Sequence, residues 1–313
     1  MRQLLDDRRW LLYSIVAGLA WGVWGVLAKF ISADINAYTN HVLFSLGMLF
    51  TLPFVIPRCK RPEVTRRGMV WGLVAGVLAI AGNVALYLSF GAGGQAATVI
   101  PITNLYPLVT ILIALLVFKE KMHWLNAIGV LLVLPAITML SGQALVFEDP
   151  AKFVATFALT EWMLYALVAM LFWGFFSAAQ KVTTNHISAE WSYVAFVLAS
   201  ALLALGFMAA GLVQYQFSNA TLVAGPLSGA MNGLGVLAAF AAYRSEGKAA
   251  LVTAVAGAMQ PAFTILLAIV FLRESIGLIE CAGIALAIVG SLFLSVEKKP
   301  ATAPLIPNQT VQP

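Results

Sequence analysis

Residues 10–29 read WLLYSIVAGLAWGVWGVLAK, and 152 positions later residues 162–181 read WMLYALVAMLFWGFFSAAQK. Laid over each other without gaps, they share Trp, Leu, Tyr, Val, Ala, Leu, Trp, Gly and Lys at matching positions. Composition alone would give roughly two such matches. A chain that repeats so long an apolar stretch is one half written twice. Each copy is also long enough to cross a bilayer, and that requirement limits the fold more than any other feature.

The rest of the chain agrees. Its 313 residues are 61% hydrophobic and 10% charged, with a mean hydropathy of +0.93, whereas soluble domains carry about 25% charged residues. Ten nearly uncharged runs of crossing length follow one another: 11–28, 37–57, 68–90, 95–118, 124–141, 162–180, 191–213, 222–243, 249–272 and 275–296. Lipid leaves an open strand's backbone unsatisfied, so all ten are expected to be helices. The basic pI near 9.3 comes from loop residues that set topology, not from a nucleic-acid patch. With the N-terminus inside, fifteen of the eighteen Lys and Arg fall on the cytoplasmic side, leaving only Lys29, Lys152 and Arg273 outside. Both termini are then cytoplasmic, in a multi-pass protein of the cytoplasmic membrane. Five crossings per half is odd, so the second half enters from the opposite face. The expected fold is all-α, with ten transmembrane helices in two inverted five-helix repeats. The expected divisions are a cytoplasmic N-terminus (1–10), a first repeat (11–141), an extracytoplasmic linker (142–161), a second repeat (162–296) and a disordered cytoplasmic tail (297–313).

A second block is also written twice: PLVTILIALLVFKE at 107–120 and PAFTILLAIVFLRE at 261–274, each followed nine residues later by Gly129 or Gly283. On these motifs the chain resembles the drug/metabolite transporter superfamily, in particular its ten-helix EamA-type members. The resemblance covers about residues 11–296. It implies a carrier whose first, third, fourth, sixth, eighth and ninth helices line a central cavity.

Pro107 and Pro261 are expected to kink their helices near the midplane, because each removes a backbone hydrogen bond. Asn104 and Tyr106 precede one kink and Gln260 the other, while Asn83, Tyr87 and Asn232 stand at similar depth in the third and eighth helices. Taken singly, each suits an interhelical hydrogen bond or core packing. Taken together they suit a midplane substrate site, with the amides donating and accepting and the tyrosines as amphipathic contacts. Trp21 and Trp173, at equivalent positions of the two copies, are expected to meet there as apolar walls. Lys29 and Lys181 close their copies at opposite mouths, as snorkelling anchors or as gate residues. Glycines four apart at 68, 72 and 76 and at 225, 229 and 233 point to close helix approach.

Other chemistries find no support. Two G-x-G-x-x-A stretches, at 91–96 and 233–238, lack a βαβ setting, and no Walker loop exists for ATP. His41, His123 and His186 lie apart without acids or cysteines at ligand spacing, so neither metal nor cofactor is expected. Cys59 and Cys281 sit in unlike settings and suggest neither a bridge nor a metal. Of the thirteen acids only Glu280 falls inside a run, and the first helix lacks the embedded Glu that the small multidrug members of the superfamily keep. The expectation is a non-ATP-driven secondary carrier, monomeric or homodimeric, of a small polar or amphipathic metabolite such as an amino acid, nucleoside or sugar. A multidrug or toxic-metabolite exporter is the alternative. A membrane-embedded enzyme acting on lipid or isoprenoid substrates would need clustered acids, His or Arg at one membrane face, and none are found.

Overall fold

The computed structural model describes residues 9–61, 64–116, 123–140, 160–244, 249–294 and 296. Most of the segments expected as N-terminus, linker and tail lie outside those residues. Among the described residues the regular structure is helical and no strand occurs.

The helices are α1 (Arg9–Ile31), α2 (Ala37–Leu49), α3 (Leu52–Val55), α4 (Arg66–Gly91), α5 (Ala96–Thr103), α6 (Pro107–Leu116), α7 (Trp124–Leu140), α8 (Glu161–Thr184), α9 (Ala189–Ala209), α10 (Asn219–Arg244), α11 (Ala249–Leu267) and α12 (Leu278–Leu294). Eight stretches are long and apolar enough to cross a membrane; the apolar α7 and α12 are shorter. One of the eight, Ala37–Arg58, joins α2, α3 and a 3₁₀ turn.

Polar side chains mark where helices begin. Asn36 Oδ1 accepts the Thr39 amide at 2.9 Å and opens α2, and Thr65 Oγ1 accepts the Gly68 amide at 3.0 Å and opens α4. Both are N-caps that satisfy an otherwise orphaned donor.

Packing crosses between the two halves of the chain. α1 lies against α10 and α11, α4 against α8 and α9, α2 against α9 and α10, and α7 against α12. The contacts recur in pairs whose members stand 152 to 154 positions apart. Thr264 Oγ1 donates to Gly22 O at 3.3 Å, and Thr110 Oγ1 donates to Gly174 O at 3.4 Å. The Trp24 and Phe44 rings lie 6.4 Å apart, and their counterparts Phe176 and Phe196 lie 6.5 Å apart. Gly235 is overlaid by the indole of Trp21 and Gly82 by that of Trp173, so closely that a Cβ on either glycine would strike the ring. Lipid supplies little hydrophobic drive between helices, so such close backbone approach and small polar links hold them together.

The backbones come closest between α2 and α10. A Cβ on Gly47 would overlap the Pro226 carbonyl, and one on Gly229 would overlap the Phe44 carbonyl.

Two loops from opposite halves are tied at one end of the bundle. Asn36 Nδ2 donates to Leu212 O at 2.9 Å, and the Asn36 amide donates to Gln214 Oε1 at 2.8 Å. Asp34 Oδ2 accepts Thr221 Oγ1 at 2.6 Å and the Ser218 amide at 2.9 Å. These bonds, Thr221's first, hold the Asp34 carboxyl below its ordinary value of 3.8. A carboxyl whose pKa is lower folded than unfolded stabilises fully above its unfolded value, and that contribution is lost as pH falls through the folded one. Amide exchange at residues 218–221, corrected for intrinsic rates, is therefore expected to stay flat from neutral pH down to about pH 4 and to quicken below it. The Asp34→Asn chain should show faster exchange throughout, without that step.

Candidate substrate site

The fourth predicted crossing does not kink at Pro107; it breaks. α5 ends at Thr103, residues 104–106 form tight turns, and Pro107 opens α6. Proline suits that place, since the first helical N–H has no intrahelical partner. The carbonyl it would have left free, Thr103 O, takes the Tyr106 amide at 3.1 Å. Asn104 Nδ2 turns back to Ile100 O at 2.9 Å, and its own carbonyl accepts Ser291 Oγ from α12 at 3.0 Å. One donor of the Asn104 amide is thus spent on closing α5. Pro261, by contrast, stays inside α11.

Around the break the structure assembles an aromatic cluster. Trp173 on α8 donates Nε1–H to Asn83 Oδ1 on α4 at 3.2 Å. Its ring lies 6.5 Å from Tyr106, edge to face at 89°, and 5.9 Å from Trp24 of α1. Tyr87 stands one helical turn beyond Asn83 on α4, close to Trp24 but outside hydrogen-bond geometry with it. Trp24, Asn83 and Tyr87 are 3%, 4% and 1% exposed. Trp24 Nε1 and Tyr87 Oη are both buried without a hydrogen-bond partner. A dry donor left unpaired costs roughly 1–3 kcal/mol, and native chains retain few such groups without a reason.

The remaining expected residues lie on α1, α10 and α11. Trp21 packs on Gly235 of α10, beside Ala17, Ala238, Ala239 and Ala256. Asn232 and Gln260 are buried on α10 and α11, with Gln260's backbone against Gly18 and Gly22. Trp21 and Trp173 therefore do not form the expected pair. Each covers a glycine of the opposite half, and the indole that Trp173 meets belongs to Trp24. Identity between the two copies does not mark Trp24, whose counterpart is Phe176.

Lys29, at the end of α1, donates Nζ to Phe90 O at 3.2 Å and lies 5.6 Å from the centre of the Phe90 ring. The side chain of Lys181 lies outside the described residues. Glu280 falls in the first turn of α12, where its carboxylate accepts the Gly277 amide at 2.5 Å. It is a capping residue there. Among the described residues no group of three His, Cys, Asp or Glu is placed to hold a metal.

A cavity of about 460 Å³ lies away from the cluster, between α4, α8 and α9. Val84, Leu88, Val168, Phe172 and Leu203 line it, together with Tyr38 and Tyr165. Two further lining residues, Val77 and Leu164, are exposed, so this is an apolar groove on the flank of the bundle.

Apolar helices of crossing length, packed through small residues, with buried polar groups confined to the interior, define a multi-pass membrane protein. The chain belongs to the EamA-like transporter family, whose pattern matches residues 8–142 and again 160–296, within the drug/metabolite transporter superfamily. The uncharacterized protein MJ1333.1 of Methanocaldococcus jannaschii is 22% identical over 132 residues, which are 42% of this chain and 95% of that relative. A solved crystal structure, described only as that of a protein, resembles this one with a TM-score of 0.61 at 17% identity, covering 91% of this chain and 94% of that one. At that identity the likeness speaks for the fold alone.

Proposed function

We propose that the chain is a secondary carrier of a small polar or amphipathic metabolite, an amino acid, nucleoside or sugar. Its ten transmembrane helices would form two inverted halves, 11–141 and 162–296, in the cytoplasmic membrane, with both termini inside and the Lys29 mouth outside. The halves rock around the cluster at the α5–α6 break, opening it to one face at a time. The carrying observation is a pair of buried, unpartnered donors, Trp24 Nε1–H and Tyr87 Oη–H, inside an aromatic and amide shell. Such donors suit an acceptor-bearing solute that replaces water on entry. Asn83, Trp173 and Tyr106 shape the same site, while Trp21, Asn232 and Gln260 form its counterpart toward α10 and α11. Asn104, Pro107 and Pro261 hold the backbone around them. Neither ATP nor a cofactor enters this reading, and a monomer or a homodimer would serve it.

The test is uptake and counterflow in proteoliposomes, with labelled amino acids, nucleosides and sugars, with and without an imposed pH gradient. Counterflow of a member of one class is expected. Transport confined to lipophilic cations and driven by the pH gradient would replace this reading with that of a multidrug exporter.

A further inference from the structure

Among the described residues, the turn after α11 is built unlike any other. The last residues, Ala268–Leu272, wind as a π-helix, a form that gathers at functional positions. Arg273 follows at φ 56°, ψ 33° and is the sole non-glycine residue at positive φ among the described residues. That conformation costs about 1–2 kcal/mol for a side-chain-bearing residue. The Arg273 and Glu274 amides both return to Ala268 O.

The turn aims Glu274 across to the other half. Its two carboxylate oxygens accept the amides of Ala96 at 2.8 Å and Ala97 at 2.9 Å, the first residues of α5. Gln95, in the local capping position, makes no side-chain cap bond. The start of α5 is therefore capped by a residue 177 to 178 positions away. Lys29, close enough for its charge to act on Glu274, holds the Phe90 carbonyl at the end of α4. A carboxylate at a helix start and a cation at a helix end both match the helix dipole.

The α4–α5 link is thus gripped on both sides; between the grips Gly94 packs on Ser89 and Val99 and its amide donates to Ser89 O at 3.0 Å, whereas the two glycines before it stand open. Gly91 and Gly93 have no neighbour within 4 Å of where a side chain would begin, and Gly93 sits at φ 95°. One turn below the grip, Ile100 is fully buried, its tip against Gly25 of α1 and near Thr264 of α11.

We propose that Glu274, steadied by Lys29, is the releasable latch that shuts this mouth of the carrier by holding the start of α5 against α1 and α11. An ordinary cap comes from the adjoining residue and never has to let go. This one comes from the opposite half through a strained turn, and it must break when the halves part. The inference rests on the carrier reading above, and its test is chosen to fail separately.

A single cysteine is placed at Ile100 in a chain with Cys59→Ser and Cys281→Ser, and its alkylation by N-ethylmaleimide is timed in detergent. Glu274→Gln, which removes the charge and one acceptor oxygen, should speed labelling about five- to tenfold, the population shift that a contact of cap strength can hold. Lys29→Met should act in the same direction and less. A cysteine at Val197, buried in α9, serves as reference and should not change. Faster labelling at both positions would mean general loosening and would overturn the latch, as would unchanged labelling at position 100. If counterflow is absent while position 100 responds alone, the latch stands and the carrier reading falls. If counterflow is present without that response, the reverse holds.

Discussion

The Gly229→Val chain is expected not to reach the folded state. The α2 and α10 backbones touch at Gly47 and Gly229, and any side chain at 229 meets the Phe44 carbonyl, with the Met48 amide 3.1 Å away. These atoms belong to a helix backbone, so no rotamer change relieves the overlap. The helices would have to separate, and α2 also packs on α9, so the strain spreads beyond one interface. A penalty of about 4 kcal/mol or more is expected, at the upper end for single substitutions. The measurement is size-exclusion behaviour and thermal unfolding in detergent, with Gly206→Ala as comparison. Gly206 lies inside α9 with nothing near its missing side chain, so that change should be neutral or slightly stabilising. A monodisperse Gly229→Val protein melting within a few degrees of the parent would contradict the close contact.

Trp24→Phe should separate function from stability. Phenylalanine keeps the ring against Phe44 and Trp173 but removes Nε1–H, a donor that no group satisfies in the resting protein. Deleting an unpaired buried donor costs no hydrogen bond, so the packing lost and the desolvation cost relieved nearly cancel and unfolding should move little. Transport should not escape so lightly. If the indole serves an acceptor on the solute, KM should rise about tenfold or more with a smaller change in turnover, the pattern of a lost binding contact. Trp173→Phe gives the contrasting result. It strands Asn83 Oδ1, so stability and transport should fall together. Equal transport by Trp24→Phe and the parent would remove Trp24 from the site.

The sequence speaks clearly where physics repeats itself. Lipid demands long apolar helices, and duplication makes the copies align; both can be read without coordinates. The glycines four apart on α4 and α10 also signalled close approach, and Gly72, Gly76, Gly225 and Gly229 all abut helices of the opposite half. What could not be read was partnership at long range. Trp21 and Trp24 differ by three residues on one helix, yet one covers Gly235 and the other faces Trp173. Only the neighbouring helices decide which of them enters the cluster. Pro107 was legible as a disruption, but whether a proline bends a helix or begins a new one depends on the carbonyls around it. Here Asn104 and Tyr106 supply bonds that let α5 stop. Glu274 stood out as the close of a repeated block, while the helix it caps lies too far back in the chain for any local pattern to name it.

Because α1 finds its main partners in α10 and α11, the order of synthesis matters. At about 5–20 residues per second, the ribosome needs roughly 10–40 s to make the stretch between the start of α1 and the start of α10. Over that interval only Gly25 of α1's small-residue face meets its own half, at Ile100 of α5, while Gly18 and Gly22 await α11. A nascent chain in this condition depends on the insertion machinery, or on lipid, to occupy that seam until the second half arrives. Changes that slow elongation late in the message would lengthen the exposure without altering a single residue of the finished protein.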